Sequence, residues 1–411
     1  MTGRAVRDGS YWSYPYHDYD ALRRESPVDH DPYLEAWLVT SHDAAAEALR
    51  HPGLSSAWME HREDAAVAGA DLVHRVLRRW FVLTDEPDHT RLRAAVGRIF
   101  AARTIEALRP RIEARVEELF DAALAHGRAV DVVTELAFPL SASIINGLVG
   151  LDPAHERLMP RWGSVLARYL AHASGTDALA ETTTVLGEIE DAIRSRLQDE
   201  RLEPGAVIHR FVDTDGAGGG DLDEGVLEAV GTASFLLYAG METTSLAVGL
   251  ITLTLLERPE LRAAIDPADA GALARAVDEL LRYDTPVLQV PRIAATDLEL
   301  AGVRIPRGDL VVIVLGAANH DPARYAAPHD VDLDPAAPAG RHLTFGLGAH
   351  YCIGAALARI ELETYLAALL RRAPRLMAVA PPTWTRTSGV RVLESLLVDL
   401  DPRPSSPAGG G

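Results

Sequence analysis

Apolar residues recur every three or four positions along much of this chain, the spacing that gives a helix one buried face. From Thr90 to Leu124 the series Leu92, Val96, Ile99, Ile105, Leu108, Ile112, Val116 and Leu119 keeps that spacing, and it predicts a long amphipathic helix beginning near Asp88. Leu179, Leu186, Ile189, Ile193 and Leu197 predict a second helix, and the run Ala355 to Leu370 a third. Between Ala229 and Leu256 the chain is apolar on nearly every side, the one stretch that resembles a membrane span. Glu242 lies in its middle with Gly240, Thr243 and Thr244, and an ionisable group at that depth is expensive in lipid. The stretch therefore predicts a helix buried in protein. Ala36 to Thr40, Leu298 to Ile305, Leu310 to Leu315 and Leu396 to Leu400 read as strands. The expected fold is mainly α with small peripheral β-sheets.

Composition narrows this picture. The chain has 411 residues, 48% of them hydrophobic, enough to bury a large core. Breakers cluster from Thr214 to Gly220, at the start (Met1 to Ser10) and in the tail (Pro402 to Gly411). The first cluster is only loop-sized, so a single domain over 16–401 is expected, with flexible ends at 1–15 and 402–411. The single cysteine, Cys352, excludes an internal disulfide framework and suits a reducing compartment. Arg4 and Arg7 are followed by polar and aromatic residues, not by a secretory apolar run, so a soluble, cytoplasmic monomer is expected. A net charge of −19 argues against nucleic acid as a partner. Locally, Arg341, Arg359, Arg371, Arg372 and Arg375 outnumber Glu361 and Glu363. That excess is either an ordinary solvated helix face or a docking site for an acidic electron carrier.

The candidate chemistry centres on Phe345-Gly346-Leu347-Gly348-Ala349-His350-Tyr351-Cys352-Ile353-Gly354. The F-G-x-G-x-H-x-C-x-G pattern resembles the cysteine-ligand signature of the cytochrome P450 family. Six identities, each with a frequency of about 5%, coincide by chance roughly once in tens of millions of start positions. Taken alone, a lone cysteine is more often a small buried hydrophobe. Its chemistry is coherent here, because a thiolate is the iron ligand and must be kept ionised against an apolar setting. A helix beginning just after Cys352 would turn its unpaired amides toward the sulfur. Gly346, Gly348 and Gly354 would let main chain approach a flat macrocycle and adopt angles barred to other residues, and Phe345 would pack on that macrocycle.

Further segments support the resemblance. Glu279-Leu280-Leu281-Arg282 matches the family's E-x-x-R and puts a carboxylate and a guanidinium on one helical face, a structural pair. Tyr283-Asp284-Thr285-Pro286 and Pro291-Arg292 follow, and the resemblance assigns Arg292 to a haem propionate. The family's further arginine, five residues before His342, is Ala337 here, with Arg341 as a substitute. His89 and Arg93 match H-x-x-x-R, and with His350 they would also donate to the propionates. Ala239-Gly240-Met241-Glu242-Thr243-Thr244 resembles the oxygen-activating A-G-x-[DE]-T-T. Gly240 would leave room for a diatomic ligand, and Thr243 would return its hydroxyl to the Ala239 carbonyl. Thr243 is then the hydrogen-bond donor at the oxygen site, and Glu242, about 100° away on the helix, relays protons from water.

The resemblance implies a haem-enclosing helical fold and haem b (iron protoporphyrin IX) held by Cys352. The implied activity is insertion of one oxygen atom from O2 into a small organic metabolite by hydroxylation or epoxidation. With a single cysteine the chain cannot build an iron–sulfur cluster, so electrons are expected from ferredoxin and ferredoxin reductase. Oxidative coupling, ring formation or peroxide-driven oxidation at the same haem is a second outcome, and a non-catalytic haem sensor a third. By analogy the substrate pocket draws on Trp80, Phe81, Phe235, Val287 and Val390.

Overall fold

A 36-residue helix, Leu222–Glu257, forms the axis on which the other long helices pack. The computed structural model describes residues 14–61, 71–125, 127–172, 176–198, 206–210, 222–335, 342–385, 387 and 389–402. Arg341 and Ala337 therefore lie outside the described residues, as does the breaker cluster from Thr214 to Gly220. Phe138–Val149, Met159–His172, Thr176–Leu197 and Ala355–Arg372 surround the axial helix. Its sequence explains its burial. Leu246, Val248, Leu250, Ile251, Leu253 and Leu255 point to different sides and are all buried, as a helix covered all round requires. Its buried hydroxyls are satisfied within the fold, as when Thr252 donates to Val248 O at 2.8 Å and meets the Tyr365 hydroxyl at 2.8 Å.

Among the described residues two helical stretches are long and apolar enough to cross a membrane, Glu224–Glu257 and Val132–Val149; the sequence reading found only the first. Protein covers 72% and 67% of them, so their apolar faces are spent on the core. The predicted helix from Thr90 to Leu124 is in fact three, Asp88–Gly97, Ala102–Glu106 and Arg109–Ala125. Ala101 is extended, with φ −62° and ψ 139°, which breaks the helix between Gly97 and Ala102. Pro110 then fits the first turn of the third helix, where its missing N–H costs nothing. All three pieces bury the same side, so the spacing runs through the breaks.

The largest sheet has five strands in the order Val28–Asp31, Ala36–Val39, Leu310–Ile313, Val290–Ala294, Leu54–Ser55. Only Ala36–Val39 and Leu310–Ile313 run parallel. Val290–Ala294, which carries Arg292, is missing from the sequence reading because Pro291 sits in it. Leu54–Ser55 pairs only with Ile293 and Ala294, so Pro291 faces no donor-hungry neighbour on that side. The stretch Leu298 to Ile305 is a hairpin, Leu298–Leu300 with Val303–Ile305, turning at Ala301 and Gly302 where both φ values are positive.

The helix Ala270–Tyr283 presents Glu279 and Arg282 as a doubly bonded pair at 2.7 and 2.8 Å. Arg282, 3% exposed, also donates to the carbonyls of Asn319, Pro328 and Asp330. One buried guanidinium thus ties three segments together. Removing one partner of such a pair costs about 3–5 kcal/mol. Arg282→Ala is expected to lose that much stability in denaturant unfolding and to purify with less haem.

The basic excess near the C-terminal helix is neutralised in the fold. Arg359 pairs with Asp278, Arg371 with Glu117, Arg372 with Glu117 and Asp121, and Arg375 with Asp401. These acids come from distant sequence, so the local count overstated the patch, and the solvated-face reading describes these four arginines.

Candidate active site

The segment leading into Ala355–Arg372 is a tight loop. Asn319 Oδ1 accepts from Leu343 N at 2.7 Å, Gly346 N donates to Leu343 O at 2.8 Å, and Cys352 N donates to Phe345 O at 2.9 Å. Gly346 and Gly348 have φ of 66° and 73°, where side chains are strained. A Cβ on Gly348 would also stand 2.9 Å from the Leu49 carbonyl oxygen. Gly354 differs from expectation. Its φ of −85° is open to any residue, and its contribution is proximity: an added Cβ would lie 3.9 Å from Cys352 Sγ.

Cys352 retains accessible surface although protein encloses it so closely that burial is the main influence on its thiol. Its open side is therefore an internal slot and not bulk solvent. Burial pushes the thiol pKa up, while the Gly354 amide and the charges of Arg93 and Arg359 pull it down. The amide comes from the start of the following helix, as predicted. Phe345 is half-buried with the Arg359 guanidinium 4.6 Å from its ring centroid, and Asp278 holds Arg359 at 2.8 Å.

On the axial helix, Tyr238, Ala239, Gly240, Glu242 and Thr243 are partly open, interrupting a run that is otherwise buried. Thr243 Oγ1 donates to Ala239 O at 2.7 Å, as expected from the four-residue spacing. Burial pushes the Glu242 carboxyl up to about 7 from an ordinary 4.5. Gly240 also has a packing role. A Cβ there would meet Ile145 Cδ1 at 2.8 Å, so the glycine lets Phe138–Val149 approach the axial helix. Gly240→Ala is expected to cost about 1–3 kcal/mol by overpacking. With Ile145→Ala added, denaturant unfolding should show a loss smaller than the sum of the two single losses.

A third group of side chains supplies donors. His89 is 3% exposed, its Nδ1 3.2 Å from Glu86, and its ring centroid lies 4.2 Å from that of His350. His89 Nε2 and His350 Nδ1 are buried without a hydrogen-bond partner. Arg93 donates to Tyr351 O at 2.6 Å, and buried Arg292 to Pro291 O at 2.8 Å. Burial, helped by Arg292 and His89, drives His350 down to about 3; burial also lowers Arg292 to about 10. Among the described residues, neither Arg93 nor Arg292 forms an ion pair with a carboxylate. Orphaned ring nitrogens beside two unpaired guanidiniums are costly unless an anion joins them. A group carrying two carboxylates and an iron for the sulfur satisfies all of them, so the residues present fit haem.

The structure thus brings Cys352, Phe345, Gly346, Gly354, His350, His89, Arg93 and Arg292 to the loop side of the slot, and places Ala239, Glu242 and Thr243 where the axial helix is partly open. Val287 and Val390 are partly open and bridge each other. Trp80, Phe81 and Phe235 are buried together. They form a buried aromatic cluster in which Trp80 Nε1 donates to Ser234 at 3.0 Å and the Phe81 and Phe235 rings meet at 4.6 Å. Asp278 and Asn319 are the supports that sequence reasoning missed. Asp278 adjoins Glu279, but nothing in the sequence links it to Arg359.

Comparison with known proteins decides the family. The Cytochrome P450 family profile matches residues 272–378. The chain is 35% identical over 393 residues to cytochrome P450 monooxygenase PikC of Streptomyces venezuelae, covering 93% of this chain and 90% of that protein. It is 33% identical over 402 residues to 6-deoxyerythronolide B hydroxylase of Saccharopolyspora erythraea, with 94% and 96% covered. The chain is a cytochrome P450. Among solved structures it is similar to CalO2, with a TM-score of 0.85, 30% identity, and 97% and 98% of the two chains covered. As a P450 monooxygenase it uses haem, and the donor set described above fits such a cofactor.

Proposed function

We propose that this P450 hydroxylates or epoxidises an apolar specialised metabolite in the cytoplasm, with electrons from ferredoxin and its reductase. The observation that carries the reading is the Glu242–Thr243 pair, present where the axial helix opens. When bound, the haem supplies the iron at which dioxygen is reduced and split, with Cys352 as its thiolate ligand. His89, Arg93, Arg292 and His350 would hold the propionates. Thr243, bonded to Ala239 O at 2.7 Å, would supply a hydroxyl donor at the oxygen site. Glu242 sits on the adjacent side of the helix and passes protons inward. A carboxyl with pKa near 7 does this well at neutral pH, because it both gives and regains a proton readily. Val287 and Val390, which bridge each other, would line the substrate's side together with Trp80, Phe81 and Phe235.

Composition supports an external electron donor, since one cysteine cannot ligate both a haem and a cluster. The local Arg359 to Arg375 patch gives no help, being internally paired.

The proton role has a pH signature. The Glu242 carboxyl is raised, so its acid form is lost as pH rises through about 7 and not near 4.5. Product formed per electron consumed is expected to fall as pH climbs through about 7. In Glu242→Gln it should be low and flat across that window. The reading itself is tested by titrating purified protein with candidate metabolites, watching for displacement of the haem-bound water. The ligand that shifts the spectrum is then turned over with ferredoxin, reductase and dioxygen. A product one oxygen atom heavier supports the reading. A product of unchanged oxygen content assigns oxidative coupling instead.

A further inference from the structure

The first helix, Tyr16–Glu25, sets His17 and Asp20 three residues apart on one face, and His329 comes to meet them from the loop between Pro328 and Asp330. One donor atom from each of the three side chains lies within 4.8 Å of the others. His329 Nε2 is 2.6 Å from Asp20 Oδ2, and the rings of His17 and His329 are 4.6 Å apart. We propose that His17, Asp20 and His329 bind a divalent transition-metal ion of the zinc type, at a site separate from the haem.

The donor set is the argument. Two imidazoles and one carboxylate suit zinc at about 2.0–2.2 Å each, with water completing a tetrahedron. In such a tetrahedron neighbouring ligand atoms stand roughly 3.3 Å apart. Opening the His329–Asp20 contact slightly and closing His17 toward it reaches that spacing with shifts of about an ångström. His17 is exposed, so an ion has a path in.

The surrounding atoms already do what an outer shell does. The Tyr14 hydroxyl is 3.2 Å from His329 Nδ1, Arg23 binds the other oxygen of Asp20, and Arg258 donates to the His329 carbonyl at 3.0 Å. A histidine bound to metal through one nitrogen usually donates its other N–H to an oxygen, and Tyr14 offers that oxygen. Metal at Nε2 would leave Nδ1 to carry the ring N–H toward the Tyr14 oxygen. A pair of hydrogen-bonded side chains would need only Asp20 and His329; convergence of the third donor, His17, is what the metal explains.

The ion would fasten the first helix to the segment whose Pro328 and Asp330 carbonyls receive Arg282. It therefore braces the scaffold around the buried Glu279–Arg282 pair. The inference does not depend on the haem chemistry proposed above.

The test uses untagged, haem-loaded, full-length protein and zinc ions in competition with a chromophoric chelator. One zinc per chain is expected, lost in His17→Ala and in His329→Ala and unchanged in His30→Ala, an exposed histidine elsewhere. Tyr14→Phe should weaken zinc about ten- to hundredfold. Zinc should raise the thermal unfolding temperature of the wild type and leave that of His17→Ala unmoved. Because His17 is exposed, its variant folds and the comparison holds. No zinc bound by the wild type, or equal binding by His17→Ala and His329→Ala, overturns the proposal.

Discussion

Replacing Cys352 by serine is expected to remove the red-shifted carbonyl band of the reduced protein and, with it, essentially all oxygenation. The sulfur donates electron density that favours cleavage of the O–O bond, and a serine oxygen does not. A fall in turnover of at least about a thousandfold corresponds to a barrier about 4 kcal/mol higher, at about 1.4 kcal/mol per factor of ten. The fold should survive, because the loop is closed by backbone bonds such as Cys352 N to Phe345 O at 2.9 Å. Haem is then still gripped through His89, His350, Arg93 and Arg292. Circular dichroism separates loss of ligand from loss of structure. A serine variant with an unmoved carbonyl band would remove Cys352 from the site.

The second large effect is expected at Thr243. Its hydroxyl lies 2.7 Å from Ala239 O, so an alanine there removes a donor without disturbing the helix. Hydrogen bonds to charged groups are worth about 1.5–3 kcal/mol, which is about ten- to a hundredfold in the step they assist. Thr243→Ala should therefore consume reducing equivalents at a near-normal rate and return most of them as peroxide, with product falling about ten- to a hundredfold. Haem content should be unchanged. Thr243→Ser, which keeps the hydroxyl, should recover much of the coupling. Fully coupled turnover by Thr243→Ala would assign the donor role to another group.

Residues whose role is carried by short-range spacing were legible before any coordinates. The four-residue return of Thr243 to Ala239, the three-residue Glu279–Arg282 pair and the helix start behind Cys352 all follow from helical geometry alone. What stayed hidden depends on contacts between distant segments. Nothing near Gly240 in the sequence shows that an added Cβ would meet Ile145. Nor does the sequence show that Trp80, Phe81 and Phe235 pack as one buried aromatic cluster, because apolar pockets and apolar cores share one composition. The arginines from Arg359 to Arg375 read as a basic patch because Glu117, Asp121, Asp278 and Asp401 are remote in sequence. The break before Ala102 was masked because the three helices keep one buried side throughout. Asp20 and His329 are 309 residues apart, so no local pattern announces their meeting.

The account rests on sulfur from Cys352 bound to haem iron. X-ray absorption at the iron edge of the purified ferric protein measures this directly, because sulfur and the lighter atoms scatter differently. One sulfur among the iron's nearest neighbours, absent in Cys352→Ser, is the predicted result. An iron surrounded only by nitrogen and oxygen in the wild type would contradict it.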